Sequence, residues 1–152
     1  MDDLVTLSAD VGGTNLNLGL LAGREGRFRI LLRRTVPTGE QRGLLEPARA
    51  FLQEAGQAGL PAPSAACACG AGPVEAGRLE LTNAPWGIDG PALERSLGLP
   101  VLVVNDFTAL ARGVLLLDPA DPAQLLPLPH PDGRSPQPDP AGTALVVGAG
   151  TG

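Results

Sequence analysis

The first forty residues alternate apolar and polar positions in three stretches, separated by short glycine-containing breaks. Residues 4–10, 16–22 and 27–36 carry the two-residue period of half-buried strands, and the tight turns between them predict an antiparallel order. Arg24-Glu25-Gly26 forms the second turn. The period then lengthens: Leu44, Leu45, Ala48, Phe51, Leu52 and Ala55 recur at helical spacing, closed by Gly56 and Gly59. Pro47 falls in the first turn of this helix, where a missing N–H costs little. A strand over 64–69 follows, then a glycine-punctuated excursion to Trp86. Asp89 is predicted to cap a short helix, Pro91 to Leu97, which Gly98 ends. Two continuous apolar runs, Val101-Leu102-Val103-Val104 and Ala144-Leu145-Val146-Val147, read as strands, the first bounded by Pro100 and buried on both faces. Between them Phe107 to Leu117 reads as a largely buried helix, and the proline-crowded residues 118–141 as an extended connection with a poorly ordered tip. The pattern alone gives an α/β chain with a mixed sheet.

Composition narrows the setting. The 152 residues are read as one domain with enough apolar content, 43%, for a substantial core. No stretch approaches the length of a membrane span, and the start, Met1-Asp2-Asp3, is acidic where a secretory signal would be basic. These features point to the cytoplasm. A net charge of −5, 3% aromatic residues and no basic cluster argue against a nucleic-acid partner. All eleven basic residues are arginine, a usage that fits a GC-rich genome and carries no functional weight. Cys67 and Cys69 lie two apart on a strand, hence on one face. With His130 as the chain's single histidine, they read as buried small side chains in a reduced compartment, not as a zinc site.

The candidate chemistry begins at Ser8-Ala9-Asp10-Val11-Gly12-Gly13-Thr14-Asn15, directly after an alternating run. Two glycines at a hairpin tip allow positive φ and close approach of N–H groups to a ligand. Successive N–H groups there form a nest for an anion such as phosphate. Asp10 would repel a bare phosphate, so its presence suggests an intervening hydrated Mg²⁺ and makes a nucleotide the first ligand to consider. An ordinary Gly-Gly hairpin is the alternative. Polar or glycine-rich groups end two further strands, Asn105-Asp106-Phe107-Thr108-Ala109 and Gly148-Ala149-Gly150-Thr151-Gly152, at the strand ends where open α/β sheets place ligands.

Four segments, DVGGTN at 10–15, LTNxxW at 81–86, NDFTA at 105–109 and GAGTG at 148–152, together resemble the bacterial glucokinase family, within the actin-like and hexokinase-like ATPases. They stand in the family's order and cover essentially the whole chain. The resemblance implies a ribonuclease-H-like (actin-like ATPase) domain: a mixed sheet of three antiparallel strands followed by alternating helices and strands. It also implies ATP-dependent phosphorylation of glucose to glucose 6-phosphate, with ATP and Mg²⁺ as cofactors and room for a homodimer in the complete protein.

The family's roles carry over residue by residue. Asp106 is implied as the base that accepts the sugar hydroxyl proton; from the residues alone it is equally the cap of the following helix, and the two roles can coexist. A helix N-terminus would keep it ionised, a ready but weak base. Asn105, with donor and acceptor, is implied as a sugar ligand, its alternative being an amide that finishes a strand. Asn83, with Thr82 and Trp86, matches the sugar-side segment, and Trp86 fits a core anchor better than sugar stacking. Ala9, Asp10, Val11, Gly12, Gly13, Thr14 and Asn15 are implied in nucleotide binding, with Asp10 on Mg²⁺ through water. Gly148, Gly150, Thr151 and Gly152 resemble the second phosphate loop, the last two also near the substrate.

Two departures stand out: Asn17 occupies a place where many relatives carry arginine, and the sequence stops at Gly152, where the family's second loop leads into the enzyme's other half. The chain therefore reads as the N-terminal part of a glucokinase, expected not to turn over glucose alone. A kinase for another hexose or amino sugar, which Asn15 argues against because many such relatives carry lysine there, and a non-catalytic sugar- or nucleotide-binding regulatory module are the alternatives.

Overall fold

A computed structural model describes residues 4–24, 27–118, 121–135, 142–143 and 145–148. The chain divides into two compact units, Met1–Ala109 and Leu110–Gly152. In the first, β1 (Leu4–Val11), β2 (Asn15–Arg24) and β3 (Arg27–Pro37) form the expected antiparallel meander. A 3-10 turn, Thr38–Glu40, leads to α1 (Leu45–Gln57), with Pro47 in its first turn. The chain then returns as β4 (Ala65–Gly70), parallel to β1. Next comes a small antiparallel sheet, β5 (Val74–Glu75), β6 (Arg78–Glu80) and β7 (Gly87–Asp89). It is followed by α2 (Gly90–Leu97) and β8 (Val101–Asn105), parallel to β4. The main sheet has the order β3-β2-β1-β4-β8.

Alternation decides the layers. Val5, Leu7, Ala9 and Val11 of β1, Leu16, Leu18, Leu20 and Ala22 of β2, and Ala66 and Ala68 of β4 share the core with Ala48, Phe51 and Ala55 of α1 and Leu93 of α2. The small side chains of β4, Ala-Ala-Cys-Ala-Cys-Gly, leave room for the helices to settle close to the sheet. α2 begins and ends as its sequence predicts: the Asp89 side chain accepts from the Ala92 N–H at 2.9 Å, and Gly98 takes the left-handed φ of 70° that closes the helix.

Several expectations are corrected. β8 is not buried on both faces: Val103 is in the core, but Leu102, on the opposite face, is 60% exposed, because the described residues leave that face largely uncovered. The helix after it, α3 (Asp106–Val114), is shorter than predicted and none of its residues is buried; Leu115 to Leu117 follow as turns. Its apolar run is left uncovered among the described residues. Residues 145–148 form no strand, and Leu145 and Val147 are exposed. A strand exists only through a hydrogen-bonded neighbour, and these residues pair with none among the described residues. The excursion before Trp86 folds into the three-stranded sheet, whose strands are too short for a readable period.

The turn at Glu25-Gly26 lies outside the described residues, as do Pro136, Pro138 and Pro140 of the proline-rich stretch. Around it, Asp121–Gln124 and His130–Arg134 close local turns. Among the described residues no helix is long and apolar enough to cross a membrane.

Phe51 is 1% exposed at the centre of the α1 contact with the sheet. Phe51→Ala is expected to destabilise the fold by about 3–5 kcal/mol, read from the denaturation midpoint. A loss under about 1 kcal/mol would mean that this contact does not organise the core.

Candidate functional site

Register brings the site together. Val11 of β1 pairs with Gly70 of β4, and Gly70 with Asn105 of β8, so three parallel strands end side by side. The turn after β1 and the start of α3 therefore emerge at one end of the sheet, two strand spacings or about 10 Å apart.

At the first of these ends, Gly12, Gly13 and Thr14 are exposed. The turn is closed by the Gly12 N–H donating to the Asn15 carbonyl at 2.9 Å. The N–H groups of Gly13 and Thr14 carry no hydrogen bond among the described residues, leaving two donors for an anion. Contrary to expectation, neither glycine uses positive φ; among the described residues the glycines that do are Gly43, Gly59, Gly72, Gly77, Gly98 and Gly133. Close approach explains the glycines instead. A Cβ on Gly12 would lie 3.1 Å from the Asn15 carbonyl oxygen, and one on Gly13 would lie 3.1 Å from the Asn83 Cβ. Asn83 thus stands against the glycine turn, exposed.

Thr38 holds the turn from beneath, a residue that no local motif marks. It is 1% exposed, donates through Oγ1 to the Gly12 carbonyl at 2.7 Å, and donates its N–H to the Thr14 carbonyl at 2.9 Å. Its only sequence signal is a hydroxyl just past the end of β3.

Asp10 is exposed at the end of β1. Its Oδ2 accepts from Asn17 Nδ2 at 3.3 Å and its Oδ1 from the Cys69 thiol at 3.7 Å. Asp10 offers a hard carboxylate oxygen that fits a hydrated Mg²⁺, while the open N–H groups beside it fit phosphate; no cluster of three metal-ligating side chains occurs among the described residues. A cation that keeps its waters and leans on phosphates needs no more than this. Cys67 and Cys69 share a face but are half-buried, not buried as expected. Burial first, then the negative charges of Asp10 and Cys67, the hydrogen bond to Asp10 and the charge of Asp106 push the Cys69 thiol up to about 12.

At the second end, the cap of α3 is Asn105, one residue earlier than the alternative reading of Asp106. Asn105 Oδ1 accepts from the N–H groups of Phe107 at 3.0 Å and Thr108 at 3.3 Å, while Nδ2 donates to the Gly72 carbonyl at 3.1 Å. Both functions of this amide are engaged within the protein. Asp106, half-buried in the first turn, accepts from the Phe107 N–H through Oδ1 at 2.8 Å; no protein donor reaches Oδ2 among the described residues. Trp86 packs against the core with its Nε1 buried and without a partner among the described residues, in keeping with an anchor. Gly148 is exposed in an irregular segment, and Gly150, Thr151 and Gly152 lie outside the described residues.

A meander of three antiparallel strands and two parallel returns, with polar groups at the strand ends, define an actin-like ATPase domain of the sugar-kinase type. The particular family follows from comparison. The Glucokinase family model matches residues 7–152, and the chain belongs to that family. It is similar to the glucokinase of Yersinia pestis (strain Pestoides F), with 34% identity across 96% of this chain and 41% of the relative. The chain thus spans about two fifths of the length of the curated relatives it matches. Among solved structures it resembles a glucokinase from an Antarctic psychrotroph, at TM-score 0.66 and 30% identity over 76% of this chain and 36% of that one. It also resembles the ROK hexokinase of Thermus thermophilus, at TM-score 0.51 and 28% identity over 67% of this chain and 35% of that one.

Two outcomes test this geometry. Thr38→Val leaves the Gly12 carbonyl without its buried donor and should cost about 1–3 kcal/mol, with faster hydrogen exchange in the turn; Thr38→Ser should retain most of the stability. Equal stability of Thr38→Val and the parent would remove the clamp. For Cys69, a raised folded pKa means the thiol stays protonated where an unfolded cysteine ionises. Its contribution to stability is complete below about pH 8.5 and is lost as pH climbs toward 12. Iodoacetamide at pH 8 should label native Cys69 at least about tenfold more slowly than in the unfolded chain. Equal rates would contradict the environment described.

Proposed function

We propose that the protein phosphorylates glucose at its 6-hydroxyl with ATP, giving glucose 6-phosphate and ADP. The observation that carries this reading is the pairing, at one end of the sheet, of an exposed glycine turn with two open N–H groups and a carboxylate, Asp106, at the start of α3. The first suits phosphate oxygens; the second suits a hydroxyl. As the sugar oxygen attacks the γ-phosphorus, Asp106 takes the hydroxyl proton and the bond to the β–γ bridging oxygen breaks. The Gly13 and Thr14 N–H groups hold the phosphates in line, and Asn83 borders them. Mg²⁺, carried by Asp10 through water, supplies charge neutralisation of the phosphates when bound. Asn105 acts here as the fixed post that aims Asp106, since its amide is engaged by α3 and Gly72. Thr151 and Gly152, with Gly148 and Gly150, serve as the second phosphate loop. Free Cys67 and Cys69 and the use of ATP fit a cytoplasmic enzyme.

Another hexose as acceptor is the second reading, supported by the likeness to a ROK hexokinase at 28% identity. Coupled measurement of ADP release over a panel of hexoses and amino sugars separates the two. Glucose should give the highest kcat/KM, and a preference for another sugar would move the assignment. In the complete protein, Asp106→Ala should lower kcat by about 10²–10⁴ while glucose still binds. Turnover within tenfold of the parent would leave Asp106 as a residue of the helix start and nothing more.

A further inference from the structure

Behind Asp10 a row of polar side chains runs across four strands. Thr35 pairs with Asn17, Asn17 with Asp10, and Asp10 with Cys69, so their side chains leave the sheet on the same face. Thr35 Oγ1 donates to Asn17 Oδ1 at 2.8 Å, and Asn17 Nδ2 donates to Asp10 Oδ2 at 3.3 Å. The direction of this relay matters. A primary amide presents an acceptor on one side and donors on the other, and its two orientations are nearly equal in shape. The acceptor-only carboxylate of Asp10 selects the donor side of the amide, and the Thr35 hydroxyl holds the carbonyl side in place. The opposite orientation would set an amide oxygen against a carboxylate.

We infer that Thr35 and Asn17 are positioning residues for Asp10, holding its carboxylate plane in the orientation that receives a metal-bound water. This rests on the reading that Asp10 carries Mg²⁺. The terminal torsion of an aspartate is soft, so a carboxylate at an exposed strand end needs lateral donors to keep one orientation. Asn17 on one oxygen and the Cys69 thiol on the other supply them, and each oxygen keeps a further lone pair for the hydrated cation. Asn17 does so without charge. An amide orients the carboxylate while leaving its full negative charge for the cation, whereas a cationic partner in that place would compete with the metal. Thr35 is exposed and outside the core cluster, so it can be changed with little effect on packing.

The test follows Mn²⁺ binding by electron paramagnetic resonance in the presence of ADP, which reads the metal site without turnover. Asp10→Asn, Thr35→Val, Thr35→Ser and Asn17→Ala are compared with the parent. Asp10→Asn is expected to weaken Mn²⁺ binding by about tenfold or more, and Thr35→Val and Asn17→Ala by about three- to tenfold. Thr35→Ser, which restores the hydroxyl, is expected to return to within about twofold of the parent. The same variants should raise the Mg²⁺ requirement of turnover without raising the KM for glucose. If Asp10→Asn weakens Mn²⁺ binding and Thr35→Val does not, the relay is overturned and the metal role of Asp10 stands. Should Asp10→Asn leave Mn²⁺ binding unchanged, the metal role fails and the relay fails with it. Equal weakening by Thr35→Val and Thr35→Ser would also overturn the relay, because a retained hydroxyl would then carry no benefit.

Discussion

The parallel pairing of β1 with β4, and of β4 with β8, governs where every polar group of interest lies. Each pairing is fixed by alternation: a slip of one residue would turn Leu7, Ala9, Ala66 and Ala68 out of the core and Ser8, Asp10 and Cys67 into it. Burial against α1 and α2 forbids that slip. The strands therefore finish together at Val11, Gly70 and Asn105, and the segments that follow share one end of the sheet. The small side chains of β4 serve the same end, since they allow α1 and α2 to cover the sheet closely. Chemistry at this site is thus a consequence of packing on the opposite face.

The same constraint explains how the glycine turn works. Its glycines are there for proximity, to Asn15 and Asn83, and not for a left-handed backbone. Thr38 fixes two of its carbonyls from below, which directs the remaining N–H groups outward. Asn105 does the corresponding work on the other side, joining α3 to the loop at Gly72 so that Asp106 keeps a free carboxylate oxygen. Buried Thr38 thus holds the exposed glycine turn, and half-buried Asn105 holds the start of α3 at Asp106.

Much of this was legible in the residues. The three antiparallel strands, α1, and the start and end of α2 follow from alternation, helical spacing, Asp89 and Gly98, all of which act within a few residues. Two of the four family segments, at 10–15 and 105–109, mark the ends of β1 and β8. What was not legible depends on distance or on absence. Thr38 acts on a turn some two dozen residues earlier, and nothing near it in sequence announces that contact. Strands of two or three residues, as in β5 to β7, carry no period to detect. An apolar run, as in Leu102 or Phe107 to Leu117, states a preference for burial but cannot state whether a covering layer is present. The cap of α3 was misplaced by one residue because Asn105 and Asp106 are both favourable cap types, and only the geometry distinguishes them.

The central claim is that one end of this sheet sets a phosphate turn and a proton acceptor on either side of a single reacting hydroxyl. A crystal structure of the protein with glucose and Mg²⁺ bound to a non-hydrolysable ATP analogue tests it most directly. The account predicts phosphate oxygens on the N–H groups of Gly13 and Thr14, and the glucose 6-hydroxyl within hydrogen-bond distance of the Asp106 carboxylate. A sugar bound away from Asp106, or phosphates that do not touch the Gly12–Thr14 turn, would contradict it.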